Sequence, residues 1–312
     1  MVDRLSKFLR PGFLRRCVAT LGLATAASCT TAAPPAAVAV ASVAPRPALW
    51  QVSDKDTTVY LFGTIHLLPR DSQWRTPALD DAIARSQALM LETIIDDKNP
   101  VELAGAMASL GFRNDLPPLA QRVDPGKRTL LETAIAKTGI PRAAFDRMET
   151  WAAAFSLIGL QFRSIGLEGG EGVEAVLRSS FQSAGKSVGQ LETNREQLGF
   201  FDSLPESAQR ALLEGAVETP GNMREHFQGM LSAWLRGDID AIAKTFNEDL
   251  SASPELMDAL IRRRNANWSK WIEGRMGQPG TVMVAVGAGH LTGQGSVQDY
   301  LRKTGMKVRR VQ

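Results

Sequence analysis

Short runs of β-branched, aromatic and aliphatic residues alternate along the chain with longer stretches whose apolar positions recur at helical spacing. Thr57–Phe62 is such a run, ended by Gly63, and predicts a strand. Thr76-Pro77 followed by Asp80 and Asp81 predicts a helix start, with an N-cap hydroxyl, proline in the first turn and acids favoured by the dipole, running to about Ser86. Ala88–Glu92, "ALMLE", predicts a second strand, and Lys186–Glu192, "KSVGQLE", a third. Between them the pattern is helical, with one helix over Pro141–Phe162 and another from about Val173 to Ser183. Further helices are predicted near 194–201, 205–217, 222–236 and 238–249, and one from Ser253 to about Arg275. "TVMVAV", Thr281–Val286, is a strand, Ser296-x-x-Asp299 opens a helix in capping-box fashion, and "KVRRV" closes the chain as a last strand. Strands separated by helices predict an α/β fold, with a central mostly parallel sheet flanked by helices and a large helical insertion between 100 and 275.

The N-terminus departs from this pattern. Arg4, Lys7, Arg10, Arg15 and Arg16 stand against Asp3 alone, and the apolar run "CVATLGLATAA" follows, too short to span a bilayer. Residues 1–28 therefore read as a signal peptide. The run ends in "AASC", which resembles a bacterial lipobox with Ala26 where Leu is usual, so Cys29 is a candidate for lipidation and a membrane anchor. The alternative is an ordinary secretory signal cut nearby, and on either reading the protein is exported, facing the periplasm. Residues 29–46, rich in Ala, Pro and Val, read as an extended tether, and 47–312 as one domain. Cys17 and Cys29 are the only cysteines, so the domain has neither a disulfide nor a thiolate ligand for zinc. Without residues 1–28 the charge falls from +3 to 31 bases against 32 acids, which gives no reason to expect nucleic acid.

The chemistry-bearing residues fall at strand ends. "TVYLFGTIHLL", Thr58–Leu68, returns as "TVMVAVGAGHL", Thr281–Leu291, so Gly-x-x-His is written twice. His66 and His290 follow two strands, and Glu92 and Glu192 end two others. Parallel pairing would gather all four at the carboxyl edge of one sheet, where open α/β sheets bind ligands. Gly63 and Gly287 are expected to supply positive φ or a close backbone approach. Two histidines and one or two carboxylates can hold a divalent ion, or work without metal around a water. His226, on a predicted helix without this context, reads as surface. "GKSVG", Gly185–Gly189, lacks the strand-to-helix order of a nucleophile elbow, and neither it nor "GAGHLTGQG" is a nucleotide loop.

"LFGTIHLLP" with the following "LE", then "GKSVGQLETNREQ", "RRNANW" and "VAVGAGHLTGQGSVQDYLRKTGMKVRRV" together resemble the TraB/GumN family across residues 47–312. Members of that family resemble the Tiki proteases and, more distantly, erythromycin esterase and the haem-binding ChaN proteins. The resemblance implies an α/β fold of two related halves, each giving one G-x-x-H to a shared cleft. It also implies roles: His66 and His290 as the motif histidines, Glu92 as the acid, and Arg264, Asn265 and Trp268 as an R-N-x-x-W element. Glu174 in "GVE" stands where the family often has Asp. Arg264 could then hold a substrate carboxylate or a developing oxyanion, with Asn265, Glu174 and Glu192 toward substrate.

The function this predicts is an exported metal-dependent hydrolase, a peptidase or amidase, in which His66, Glu92 and His290 hold Mn²⁺ or Co²⁺ rather than Zn²⁺ and activate a water. The partners expected are a peptide or small-molecule substrate and, through a lipid anchor, the membrane. Alternatives are a metal-free esterase-like hydrolase with His66 as base, a protein that sequesters a peptide or small molecule without turnover, and a haem-capture protein.

Overall fold

In the computed structural model, residues 44–69, 72–95, 100–167, 172–218, 223–250 and 254–312 are described. The signal-like segment, Cys29 and nearly all of the tether lie outside them. The sheet has six strands: β1 (Leu49–Ser53), β2 (Thr57–Thr64), β3 (Ala88–Leu91), β4 (Ser187–Gln190), β5 (Gly280–Gly287) and β6 (Val308–Arg310), in the order β4-β3-β5-β2-β1-β6. The four strands β4, β3, β5 and β2 are parallel, as the α/β pattern requires.

The sheet is mostly parallel, as expected, and its other side carries the antiparallel pairs. β1, which the hydrophobic pattern did not reveal, pairs antiparallel with β2, because the link Asp54–Asp56 is too short for a crossover. β6 pairs antiparallel with β1 in turn, from Trp50↔Arg310 to Val52↔Val308. At the centre β2 and β5 run in register, Thr58 opposite Thr281 and Gly63 opposite Val286. The second Gly-x-x-His is thus one residue out of step with the first. In a structure of period two, one residue of offset exchanges the sheet's faces, so the two motif glycines face opposite sides of the sheet.

Alternation along the strands builds two apolar layers. Tyr60, Phe62, Leu89, Leu91, Met283 and Ala285 face one way into the larger layer, and Val59, Leu61, Val282, Val284 and Val286 face the other. Burying each large apolar side chain contributes about 1.5–3 kcal/mol. The smaller layer is closed by two helices, α12 (Arg263–Met276) and α13 (Val297–Lys303), through Trp268, Ile272, Val297 and Leu301. The larger is covered by α1 (Pro77–Arg85), α5 (Thr150–Ser164), α6 (Val173–Ser183), α7 (Asn194–Asp202), α8 (Glu206–Val217) and α9 (Met223–Leu235), with α2 (Val101–Leu110), α3 (Arg128–Ala136), α4 (Arg142–Asp146), α10 (Ile239–Leu250) and α11 (Pro254–Met257) packed around them. Trp234 of α9 meets Phe62 and Trp74 and donates Nε1–H to the carbonyl of Gly63 at 2.8 Å, fastening the end of β2.

The predicted caps hold at both ends of the fold. Thr76 Oγ1 accepts the N–H of Leu79 at 3.2 Å with Pro77 behind it, and Ser296 Oγ accepts that of Asp299 at 3.4 Å. Two predicted helices are interrupted. Pro141–Phe162 breaks after Asp146 because buried Arg122 draws the carbonyls of Asp146 and Met148, while Phe112 bridges to Met148. The helix predicted from Ser253, which lies outside the described residues, to Arg275 contains a π turn, Asp258–Arg262, immediately before α12. Among the described residues no helix is long and apolar enough to cross a membrane.

Candidate functional site

His66, Glu92, Glu192 and His290 lie just beyond the carboxyl ends of β2, β3, β4 and β5, so the parallel strands bring all four to one edge. Gly287 marks where three of them meet. Its backbone N–H donates to Glu92 Oε1 at 2.6 Å. A Cβ there would stand 3.2 Å from that oxygen, 3.7 Å from the His290 ring and 3.8 Å from His66 Nε2. Gly287 has negative φ, and Gly63 is not among the positive-φ glycines either. Both serve by close approach, since a Cβ on Gly63 would come 3.1 Å from the Cα of Ala288.

The β5 side of the site is fully bonded. Asn265 sends Nδ2–H to the carbonyl of Gly295 at 2.8 Å, which turns its Oδ1 toward His290 Nδ1, 2.7 Å away. Nδ1 must then carry the proton, and Nε2 is left as an acceptor. That acceptor faces Arg264 Nη1 at 3.2 Å. Burial pushes His290 down to about 3, against the pull of Glu92, so its ring is neutral.

Arg264 uses every donor it has. Nε–H goes to Glu192 at 3.0 Å, Nη1 to the carbonyl of Leu260 at 3.3 Å and to His290, and Nη2 to Glu92 at 2.7 Å and Glu192 at 2.8 Å. A guanidinium has five N–H groups and all five are engaged. Trp268 packs its ring 4.7 Å from the guanidinium and donates Nε1–H to Glu192 at 2.9 Å. Burial opposes ionisation of Glu92, but Arg264, His290 and His66 hold it at about 2. At Glu192 burial prevails over Arg264 and the carboxyl is raised. Burial likewise works against the charge on Arg264, and the two carboxylates outweigh it.

The β2 side is organised differently. His66 Nδ1 lies 2.7 Å from Glu174 Oε1 on α6, with side chains 14% and 18% exposed. The pair is an ion contact rather than a well-aligned hydrogen bond, since Oε1 lacks a hydrogen-bond partner by strict geometry. Among the described residues the buried His66 Nε2 has no hydrogen-bond partner, and neither has the buried Oγ1 of Thr64 two residues earlier. Burial works against protonation of His66, but the charge of Glu174 and its contact outweigh it and the ring is raised above 6.5. α6 reaches this position by backbone contact: Val173 N–H donates to the carbonyl of Ile65 at 3.0 Å. A Cβ on Gly172 would come within 2.1 Å of the His66 carbonyl oxygen, so only glycine fits.

These partners revise several expected roles. Arg264, with no donor to spare, cannot clamp a substrate carboxylate or an oxyanion; it positions Glu92, Glu192 and His290. Asn265 is engaged by His290 and Gly295, and Glu192 by Arg264 and Trp268, rather than by a ligand. Gln197, which was not singled out in the sequence, donates to Glu92 Oε2 at 3.1 Å. The signal for it was local: Thr193 and Glu196 form a capping box that starts α7 directly after Glu192 and turns Gln197 back to the sheet. His226 is half-buried rather than on the surface. An ion held by His66, Glu92 and His290 would need a lone pair from each, yet His290 Nε2 and Glu92 Oε2 point at the guanidinium. The residues as arranged do not fit such an ion. Among the described residues no group of three or more His, Cys, Asp or Glu is placed to hold a metal.

A model of the TraB/PrgY/gumN family matches residues 48–310. The chain is also similar to uncharacterized protein YbaP of Escherichia coli (strain K12), 26% identical over 250 residues, which cover 78% of this chain and 87% of that protein. Similarity to YbaP of Shigella flexneri has the same extent. No solved structure matches the chain.

Proposed function

The chain belongs to the TraB/PrgY/gumN family, and from that premise we propose that it is a hydrolase of amide or ester bonds in which His66 is the general base. One observation carries the reading: a half-buried imidazole whose Nδ1 rests on Glu174 and whose buried Nε2 has no hydrogen-bond partner among the described residues. Buried polar atoms are nearly always bonded, and an exception at the carboxyl edge of a parallel sheet is best explained by a ligand. In this reading Nε2 removes a proton from the attacking water, and Glu174 stabilises the ring as it becomes positive. Glu92 stays ionised and close by through Gly287, and Arg264 holds the acid in place. No step passes through a metal, because two of the three expected ligands, Glu92 and His290, are committed to the guanidinium.

Export and anchoring belong to the same proposal. The basic start, the short apolar run and the small residues before Cys29 support a lipid-anchored protein of the cell envelope that meets its peptide or small-molecule substrate outside the cytoplasm. The activity test is a screen of peptide and ester libraries with the purified chain beside His66→Ala. Turnover should fall by about 10²–10⁴ in the variant, the usual worth of a general base, while ligand affinity is retained. A ligand bound by the wild type without turnover would instead identify a sequestering protein and end the hydrolase reading.

A further inference from the structure

Two carboxylates, an imidazole nitrogen and a backbone carbonyl converge beside the end of β5. That is the ligand chemistry of a divalent ion, and a guanidinium stands in their midst. Glu92 Oε2, Glu192 Oε2, His290 Nε2 and the Leu260 carbonyl all lie between 2.7 and 3.3 Å from its nitrogens. We infer that Arg264 is the resident cation of this site: it fills the position of a divalent ion, gathers the ligands of one, and closes the wild-type protein to metal there.

Three features of the surroundings support this assignment. The guanidinium is braced by two aromatic rings, Trp268 at 4.7 Å and Phe200 at 5.6 Å, which oppose its swinging aside to admit an ion. Its charge is permanent, because an arginine does not release its proton in a protein. The ligands are also oriented toward it individually. Asn265 sets the tautomer that turns the bare nitrogen of His290 inward, and Trp268 and Gln197 each hold one carboxylate. Both Asn265 and Trp268 lie on the same helix as the arginine, as i+1 and i+4, so cation and supports arrive as one unit. The π turn just before α12 supplies the Leu260 carbonyl that receives Nη1.

Removing the guanidinium should therefore unmask what it covers. In Arg264→Ala the two carboxylates and His290 keep their supports and lose their counter-charge, leaving space lined by ligands. The experiment is calorimetric titration of the metal-stripped full chain with Mn²⁺, Co²⁺ and Zn²⁺, with thermal unfolding in the presence and absence of each ion. Wild type and Arg264→Lys should show no ion whose binding depends on His290 and no shift in melting temperature. Arg264→Ala should bind one ion per chain, gain thermal stability from it, and lose both when His290→Ala is added. The inference is overturned if the wild type binds an ion that His290→Ala or Glu92→Gln abolishes. It is equally overturned if Arg264→Ala is folded by circular dichroism and binds none. Should Arg264→Ala not fold, the wild-type titration with those two variants decides alone. These readouts are independent of turnover, so a failure of the hydrolase reading would not be mistaken for a failure of this one.

Discussion

The two sides of the site begin from the same four-residue motif and end in opposite states. Around His290 the side chains of Arg264, Asn265, Glu92 and Glu192 are all bonded, and the cluster of His290, Arg264, Glu92 and Glu192 is buried. Around His66 a nitrogen is left over, the side chain and its carboxylate partner keep some exposure, and the helix that brings the partner is held by backbone contact. Bonding capacity that is spent makes a framework, whereas capacity that is left makes a working surface. The repeated motif thus places two histidines, and the residues that meet them decide which one keeps bonding capacity.

The sharpest way to break the comparison is to open the closed side. Arg264→Ala should lose about 3–5 kcal/mol in denaturant unfolding without metal, the cost of stranding buried charge. Adding Glu92→Gln should restore part of it. Asn265→Ala should cost about 1–3 kcal/mol, because the Nδ1–H of His290 and the carbonyl of Gly295 lose their buried partner. If that variant is as stable as wild type, the tautomer is not set by Asn265.

Acid should distinguish the sides by sign. His290 at about 3 and Glu92 at about 2 bind fewer protons folded than unfolded, where their values are 6.5 and 4.5. Both contributions are present at neutral pH and are lost as pH falls, His290's from about 6.5 downward and Glu92's from about 4.5 downward. His66, raised above 6.5, contributes the opposite way: its share is present below 6.5 and lost as pH rises through its folded value. Midpoints of urea unfolding followed from pH 7 to pH 3 should fall in wild type, and less steeply in Glu92→Gln. The smallest effect belongs to the open side. In Glu174→Gln the rising limb of the pH–rate profile, which reports neutral His66, should move below its wild-type position, because burial alone lowers an imidazole. An unmoved limb would detach Glu174 from His66.

Much of this was legible in the sequence for simple reasons. Thr57–Phe62 and Thr281–Val286 are dense in β-branched and aliphatic residues and end at glycine, and Thr76-Pro77 writes a helix start in its own chemistry. Parallel strands then forced His66, Glu92, Glu192 and His290 to one edge. β1 escaped because "LWQVS" is short and follows a proline-rich segment, and its antiparallel pairing is dictated by the turn that follows rather than by its own pattern. The break after Asp146 depends on Arg122, far away in sequence, taking two carbonyls. The commitment of Arg264 was hidden for the same reason: "RRRNANW" reads as a solvated helix face, and only packing shows that the middle of that run is buried against acids from two strands.

The place of β5 in the sheet also bears on how the chain reaches this state. It separates β2 from β3, two strands translated early, yet it is made near the end: the partner of Thr57 is Gly280. Until synthesis is nearly complete β2 and β3 each have an unpaired edge, and neither histidine has its neighbours. Pairings of such sequence separation form slowly and leave edges exposed while they wait. Only when β5, the fifth of the six strands to be made, takes its place are the two halves of the sheet joined into one.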